Sequence, residues 1–173
     1  MDPYEGFREF VRGRQRSLMR TAYLLTGDAL QAEDLLQTVL MRAARHWRRL
    51  ADGNPEAYVR RALVNEHTSW RRRRRAETLT AQPPDLRTGP DPGDESLTRM
   101  ALQRALMRLT PRQRAVLVLR YYEDRSVEET ADLLNCSQGT VKSQTSHALG
   151  RLRTLAPELA DLLHDVDPEE VTQ

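Results

Sequence analysis

The stretch LLNCSQGTVKSQTSHALGRLR, residues 133–153, decides the fold of the second half of this chain. A polar break at 135–137 separates two segments with helical periodicity, 127–134 and 138–156. Ser126 precedes the first segment and stands three residues before a glutamate, which is the capping-box pattern of a helix start. Two helices joined by so short a turn are typical of a helix-turn-helix.

The second of these helices has two unlike sides. One row of side chains, within about 40° on a helical wheel, is predicted to be buried: Val141, Thr145, Ala148 and Leu152. The opposite side carries glycines, hydroxyls and an imidazole: Gly139, Thr140, Ser143, Ser146, His147 and Gly150. Such a side can approach a DNA duplex closely and hydrogen-bond to base edges, with Lys142 beside it as a phosphate ligand. An exposed polar helix side without a ligand is the alternative.

Helical periodicity extends over nearly the whole chain, and no strand-like alternation of useful length is present. Cap residues followed by prolines suited to the first helical position mark several helix starts. Besides the two segments above, the predicted helices span about 3–25, 29–50, 55–75, 95–109 and 111–123. The sequence therefore predicts an all-α protein.

An acidic, proline-rich segment at 76–97 divides these helices into two groups. It contains four prolines and carries a net charge of −4, so it is predicted to be an extended linker. The helices on either side form two predicted small bundles, 1–75 and 98–156, with net charges of +7 and +5, and an acidic tail follows at 157–173. Separated basic blocks suggest polyanionic partners, with charge drift on a solvated surface as the alternative.

Composition argues against several function classes. No apolar run approaches the ~18 residues needed to span a bilayer, and no signal-peptide pattern opens the chain. The single cysteine, Cys136, cannot form an internal disulfide. Neither a glycine-rich phosphate loop nor a histidine pair at metal spacing is present, so no enzyme activity, metal or cofactor is predicted. We expect a soluble cytoplasmic protein without membrane contact.

The helix predicted at 29–50 has a mixed outer side. Its core stripe is predicted to hold Ala32, Leu36, Val39, Leu40, Ala43 and Trp47. Outside that arc, two apolar side chains stand among polar ones: Leu30, Asp34, Gln37 and Met41. The mixture suggests a protein-binding surface, and an ordinary solvated surface is the alternative.

The helix predicted at 55–75 ends in WRRRRR. Five consecutive arginines cannot all point inward, so they must lie on solvent or on phosphate. Polar side chains share one side of the same helix: Arg61, Asn65, Thr68 and Ser69. A nucleic-acid surface is favoured here over a solvated run of charge.

The order of these blocks resembles the extracytoplasmic-function (ECF) group of bacterial RNA polymerase sigma factors. The matching stretches are AEDLLQTVLMRAARHW (32–47), AYVRRALVNEHTSWRRRRR (57–75) and LTPRQRAVLVLRYYEDRSVEETADLLNCSQGTVKSQTSHALGRLR (109–153). QGTVKS, preceded by LTPRQRAVLVLRYYED, is a specific signature of the second domain of that group. The resemblance implies a transcription initiation factor that binds polymerase core and directs it to promoters by their −10 and −35 elements.

The resemblance also implies roles for particular residues. Binding to the clamp of the largest polymerase subunit would involve Leu30, Asp34, Leu35, Gln37, Thr38 and Met41. Melting and reading of the −10 element would involve Arg61, Asn65, Thr68, Ser69, Arg71 and Arg72. Reading of the −35 duplex would involve Arg114, Thr140, Lys142, Ser143, Ser146 and His147. The flap of the second-largest subunit and promoter DNA are further implied partners, and an anti-sigma factor is a candidate partner.

Two departures from the group's pattern and two alternative functions accompany this resemblance. Gln144 and His147 stand where the group often has arginines, which predicts fewer phosphate contacts and an altered −35 preference. A stand-alone helix-turn-helix regulator would explain 109–153 but would leave the outer side of 29–50 and the arginine-ended helix without a purpose. An anti-sigma or adaptor protein would have no use for a base-reading helix.

Overall fold

The computed structural model describes residues 4–77 and 94–157, and for 71–77 and 94–96 it describes only the helical backbone. These described residues are helical, without a β-strand, which confirms the predicted all-α class. The chain divides into two compact units, Met1–Thr80 and Ala81–Gln173. The predicted extended linker, 76–97, is helical at its two ends, 76–77 and 94–97, because the flanking helices continue into it. The rest of the predicted linker and the predicted tail beyond residue 157 lie outside the described residues. No helix in the described part is long and apolar enough to cross a membrane.

The described part of the first unit, residues 4–77, contains four helices: α1 (Glu5–Thr26), α2 (Ala29–Arg45), α3 (Trp47–Leu50) and α4 (Pro55–Glu77). Helices α1, α2 and α4 pack against one another, and each supplies fully buried or nearly buried aliphatic side chains: Leu18, Leu25, Leu36, Val39, Val59 and Leu63. Gly27 ends α1 at φ 76°, a left-handed conformation that glycine adopts without a Cβ clash. Asp28 then starts α2, because its carboxylate accepts the backbone N–H of Gln31 at 2.9 Å.

The predicted continuous helix over 29–50 is wrong, because the chain breaks at His46. This residue has φ −109° and ψ 12°, and its backbone N–H donates to the carbonyl of Ala43 at 3.2 Å. Aromatic contacts fix the side chain of the next residue, Trp47. Its ring centroid lies 5.3 Å from that of Phe7, in an edge-on arrangement, and 5.4 Å from that of Phe10. Since such contacts depend on α1, tertiary structure overrides the local helical pattern.

Helix α4 is fixed to α1 by a largely buried arginine. The Arg60 side chain donates to the Glu56 carboxylate at 2.6 and 3.2 Å, and it lies 3.5 Å from the hydroxyl of Thr21 on α1. Arg14, also on α1, pairs with the second oxygen of Glu56 at 3.0 Å. The start of α4 is capped by Asn54, whose side-chain oxygen accepts the N–H of Ala57 at 3.0 Å. One side of α4 is therefore held in place and the other is left for solvent or ligand.

The second unit contains α5 (Asp94–Met107), α6 (Pro111–Leu117), a π-helical turn (Val118–Tyr122), α7 (Val127–Leu134) and α8 (Gln138–Leu155). The capping box predicted at Ser126 starts α7, and a second capping box starts α6 at Thr110, a cap residue followed by a proline. Asn135 ends α7 at φ 50°, and Ser137 caps α8 by accepting the N–H of Thr140 at 3.1 Å. The short turn between α7 and α8 gives the predicted helix-turn-helix.

A compact apolar cluster holds the two helices of this motif on α6. Its buried members are Val116, Val127, Ala131 and Val141, and Leu134 and Cys136 pack against it. The half-buried cysteine thus packs against the core of this unit. The predicted single helix over 111–123 changes to a π-helical turn near its end, where the N–H of Glu123 bonds to the carbonyl of Val118 at 2.9 Å.

The capping box of α7 gives a pH-dependent prediction. The backbone N–H of Ser126 donates to the Glu129 carboxylate at 2.8 Å, and this bond is the main cause of a lowered pKa of Glu129. A carboxyl with a lowered folded-state pKa adds stability above its unfolded-state pKa, and this contribution is lost as the pH falls through the folded-state value. Glu129→Gln is therefore expected to lower the free energy of unfolding at pH 7 by at most ~0.5 kcal/mol, because the carboxylate is exposed and screened.

This difference between variant and wild type should shrink as the pH is lowered, and urea denaturation at a series of pH values measures it. A difference that stayed constant down to acid pH would show that the charge of Glu129 does not stabilise the helix start.

Candidate DNA- and protein-binding surfaces

Helix α8 buries one side and exposes the opposite one, as predicted. The buried side chains are at most 5% exposed: Val141, Thr145, Ala148, Leu149 and Leu152. A Cβ added at Gly150 would meet no heavy atom within 4 Å, and one added at Gly139 would meet only the Ser137 hydroxyl, at 3.8 Å. Close contact within the fold therefore does not explain either glycine. The two glycines leave the exposed side of α8 without side-chain bulk at these positions.

Four of the predicted −35 ligands share this exposed side: Lys142, Ser143, Ser146 and His147. Among the described residues, none of these four side chains makes a hydrogen bond or ion pair, so their donors and acceptors are available to a ligand. Thr140 differs, because it is half-buried and its hydroxyl lies 2.9 Å from that of the cap residue Ser137. Its hydroxyl already takes part in the start of α8.

The prediction that Arg114 binds DNA is wrong for this structure. Its side chain is 0% exposed, and the guanidinium donates to the carbonyls of Leu106 at 2.8 Å and of Met107 and Leu109 at 3.2 Å. The carbonyls of Leu106 and Met107 belong to the last turn of α5, where a helix leaves acceptors without intrahelical donors, and the carbonyl of Leu109 follows in the connection to α6. Arg114 therefore satisfies a helix terminus inside the unit, and phosphate cannot reach it.

The outer side of α2 carries five of the six predicted polymerase ligands: Leu30, Asp34, Gln37, Thr38 and Met41. Leu30 is 70% exposed and Met41 is 59% exposed. The side chain of Gln37 donates to Glu33 at 3.4 Å along the same helix. Exposed apolar side chains among polar ones are typical of a protein-binding surface.

The sixth predicted polymerase ligand, Leu35, is not on that surface. It is 3% exposed and belongs to the core of the first unit. Helix α2 packs against both α1 and α4, so its buried arc is wider than a single stripe and includes this leucine next to Leu36. A contact of the Leu35 side chain with polymerase would require the bundle to open.

Helix α4 exposes three of the predicted −10 ligands, Arg61, Asn65 and Thr68, and half-buries Ser69. The Thr68 hydroxyl donates to the carbonyl of Val64 at 2.8 Å, so it offers its lone pairs rather than its proton to a ligand. The helix continues through Arg71 and Arg72, whose side chains lie outside the described residues. Within the described side chains, α4 thus presents a polar surface with one cation.

A charged pair joins α2 to α4 and was not indicated by the sequence. The Arg42 guanidinium lies 2.5 Å from the Glu66 carboxylate, and the side chains are 50% and 14% exposed. The two residues are 24 positions apart in sequence, so the spacing rules for pairs within one helix do not predict this contact. In the described part of the chain, no group of His, Cys, Asp and Glu is arranged to hold a metal ion.

Comparison with known proteins finds similarity along nearly the whole chain. Residues 10–77 match the family described as Sigma-70 region 2, and residues 99–152 match Sigma-70, region 4. The chain is 45% identical over 149 residues to an RNA polymerase sigma-E factor of Streptomyces antibioticus, covering 85% of this chain and 82% of that protein. It is 33% identical over 148 residues to the ECF RNA polymerase sigma factor SigL of Mycobacterium tuberculosis, covering 82% and 84%.

A solved structure is similar as well. It is the co-crystal structure of the sigma factor RpoE in complex with the anti-sigma factor NepR from Bartonella quintana. The TM-score is 0.71 at 28% sequence identity, and the similarity covers 87% of this chain and 96% of that one.

Removal of the buried guanidinium tests the structural role of Arg114. Arg114→Ala leaves three carbonyls at the end of α5 without these donors, and we expect a loss of ~2–4 kcal/mol in the free energy of unfolding of the second unit. The matched control is Arg112→Ala, an exposed arginine of the same helix, which should change stability by no more than ~0.5 kcal/mol. Chemical denaturation of both variants measures the difference. An Arg114→Ala protein that unfolded like wild type but lost DNA binding would return Arg114 to the DNA ligands.

Proposed function

Because the chain belongs to the ECF group of RNA polymerase sigma factors, it is a promoter-specificity factor for transcription initiation, and we propose that three exposed helix faces divide this work. Sigma factors bind RNA polymerase core and promoter DNA. The observation that carries the proposal is the face of α8, where small polar side chains stand exposed opposite a fully buried row. The faces of α2 and α4 supply the other two contacts.

In this proposal the second unit reads the −35 duplex. A major groove about 12 Å wide admits one α-helix, and the small side chains of α8 let its axis approach the base edges. Ser143, Ser146 and His147 supply donors and acceptors to the bases, and Lys142 supplies one cation to the backbone. Arg114 contributes indirectly, because it stabilises the end of α5 within the same unit.

The exposed Tyr121 and other apolar side chains of this unit are available to the flap of the second-largest polymerase subunit.

The first unit supplies the contact with polymerase core. Leu30 and Met41 on α2 give it apolar area, and Asp34, Gln37 and Thr38 surround them with polar groups. This combination suits a protein partner better than DNA, because a carboxylate at the centre of the surface would repel phosphate. The proposed partner is the clamp of the largest subunit.

Helix α4 of the same unit is proposed to read the melted −10 element. Asn65 is exposed and its side chain makes no hydrogen bond within the described residues, so its amide can pair with a base edge. Reading a base outside the stack requires unpairing, which costs a few kcal/mol and must be offset by the site that receives the base. Arg61, Arg71 and Arg72 would neutralise backbone phosphates beside it.

We propose the corresponding domain limits. Residues 1–75 form the core-binding and −10 domain, 76–97 the linker, 98–156 the −35 domain and 157–173 an acidic tail without an assigned role.

The protein would act where polymerase acts, in the cytoplasm, and would need no cofactor. An anti-sigma factor is proposed as a regulator, since the similar RpoE was crystallised with NepR. A stand-alone regulator is not favoured, because residues 10–77 match a second sigma region.

The division of labour predicts that substitutions in α4 and α8 impair different steps. Run-off transcription with wild-type holoenzyme first identifies a promoter. On that promoter, Asn65→Ala should reduce permanganate reactivity of the −10 region roughly tenfold and leave binding to a −35 duplex within about twofold. Ser146→Ala should instead weaken binding to the −35 duplex by roughly three- to tenfold.

Matched controls are Gln15→Ala, an exposed amide on α1, and Thr154→Ala, an exposed hydroxyl near the end of α8. Both should behave like wild type in both assays. Normal melting by Asn65→Ala together with weaker −35 binding would mean that the two units are assigned the wrong way round.

A further inference from the structure

The Arg42–Glu66 pair connects the two surfaces that the first unit presents. Arg42 follows Met41 of the proposed polymerase surface on α2, and Glu66 follows Asn65 of the proposed DNA surface on α4. The guanidinium Nη1 and the carboxylate Oε2 lie 2.5 Å apart, at the distance of a short charge-assisted hydrogen bond. The pair therefore stands at the border between a protein-binding and a DNA-binding face.

The negative charge of Glu66 is unfavourable on a helix that must bind a DNA strand. It is the sole carboxylate of α4 between Glu56, near the first turn, and Glu77, at the last residue. Glu56 already pairs with Arg14 and Arg60. The Glu66 carboxylate, next to Asn65, would repel the phosphates of a strand bound there. This repulsion is stronger near a protein surface than in bulk water.

Arg42 has the means to cancel that charge. Its side chain is 50% exposed, and among the described side chains of residues 4–70 its one ion pair is the bond to Glu66. Part of the guanidinium therefore still faces solvent. Glu66 is only 14% exposed, so its carboxylate is largely covered by the arginine and by the helices around it. The Arg42–Glu66 pair by itself then carries a net charge close to zero.

We propose that Arg42 is a positioning residue for promoter opening: it masks the Glu66 carboxylate, so that the α4 face can accept the single strand of the melted −10 element. This inference rests on the proposed function of α4. It assigns the pair an electrostatic role, in which the harm done by losing Arg42 comes from the exposed charge of Glu66. A pair that merely braced α2 against α4 would behave differently, because losing either partner would then be harmful.

A mutant cycle separates these two roles. Full-length wild type, Arg42→Gln, Glu66→Gln and the double variant are each assembled with polymerase core, and permanganate reactivity of the −10 region is measured on one promoter over a range of salt. Masking predicts that Arg42→Gln lowers open-complex formation by roughly three- to tenfold at low salt, with a smaller loss at high salt. Glu66→Gln should equal or exceed wild type, and the double variant should return to within about twofold of wild type.

Two controls accompany the cycle. Arg42→Lys keeps the positive charge and should melt the promoter nearly as well as wild type. Arg45→Gln removes an exposed arginine from the last turn of the same helix, and Glu66→Gln should not reverse whatever loss it causes. Core affinity and thermal unfolding of each variant show whether a loss comes from assembly or folding.

The double variant has no Glu66 carboxylate to repel the strand. If it were as defective as Arg42→Gln, the proposal would be overturned. Arg42→Gln activity equal to wild type would overturn it as well. Asn65→Ala distinguishes this failure from failure of the proposed function. If Asn65→Ala is impaired and the cycle shows no reversal, α4 reads the strand but Arg42 does not mask Glu66. If Asn65→Ala melts the promoter normally, the assignment of α4 itself is wrong.

Discussion

The guanidinium of Arg114, fully buried at the end of α5, donates to three backbone carbonyls, and the second unit is built around this contact. Helix α5 ends at Met107 and α6 begins after the cap residue Thr110, so only a short connection separates them. Arg114 spans that connection and fixes where α6 begins. Helix α6 in turn packs against α8, so the position of the exposed face of α8 depends on a charge that never meets solvent.

A second buried arginine has the same function in the first unit. Arg60 is 8% exposed and lies between Glu56 of its own helix and Thr21 of α1, with Arg14 on the other side of the carboxylate. Burial of such charges is tolerated because each is paired or hydrogen-bonded. The chain has 26 arginines, and among those whose side chains are described, burial separates arginines that stabilise helix contacts from arginines that remain available to phosphate.

Sequence patterns predicted the local structure well because its causes are local. Capping boxes at Thr110 and Ser126 start the helices that they mark, and the spacing of Val141 and Leu152 predicts which side of α8 is buried. A hydrogen bond from a cap to a residue three positions later involves only neighbouring residues, and the same holds for a 3.6-residue period. The resemblance to sigma factors then added the family, which the comparisons confirm.

Two features that sequence reasoning missed depend on contacts between residues far apart in sequence. The break at His46 follows from the burial of Trp47 against Phe7 and Phe10, and the burial of Leu35 follows from α2 having two neighbours. The resemblance alone implies Arg114 as a DNA ligand, and an arginine in a sequence carries no sign of where its side chain lies. It sits in a run from 113 to 119 that is buried at every position, and this run of apolar residues after the arginine was the available signal.

Photocrosslinking from single positions in the assembled holoenzyme–promoter complex tests the assignment of the three exposed faces most directly. A photoreactive amino acid would replace Met41 on α2, Asn65 on α4 or Ser146 on α8, and the exposed Gln15 on α1 would serve as the reference position. We predict crosslinks to the largest polymerase subunit from position 41, to the −10 region from position 65 and to the −35 region from position 146. Crosslinks from 65 to −35 DNA, or from 146 to the −10 strand, would contradict the assignment of the faces.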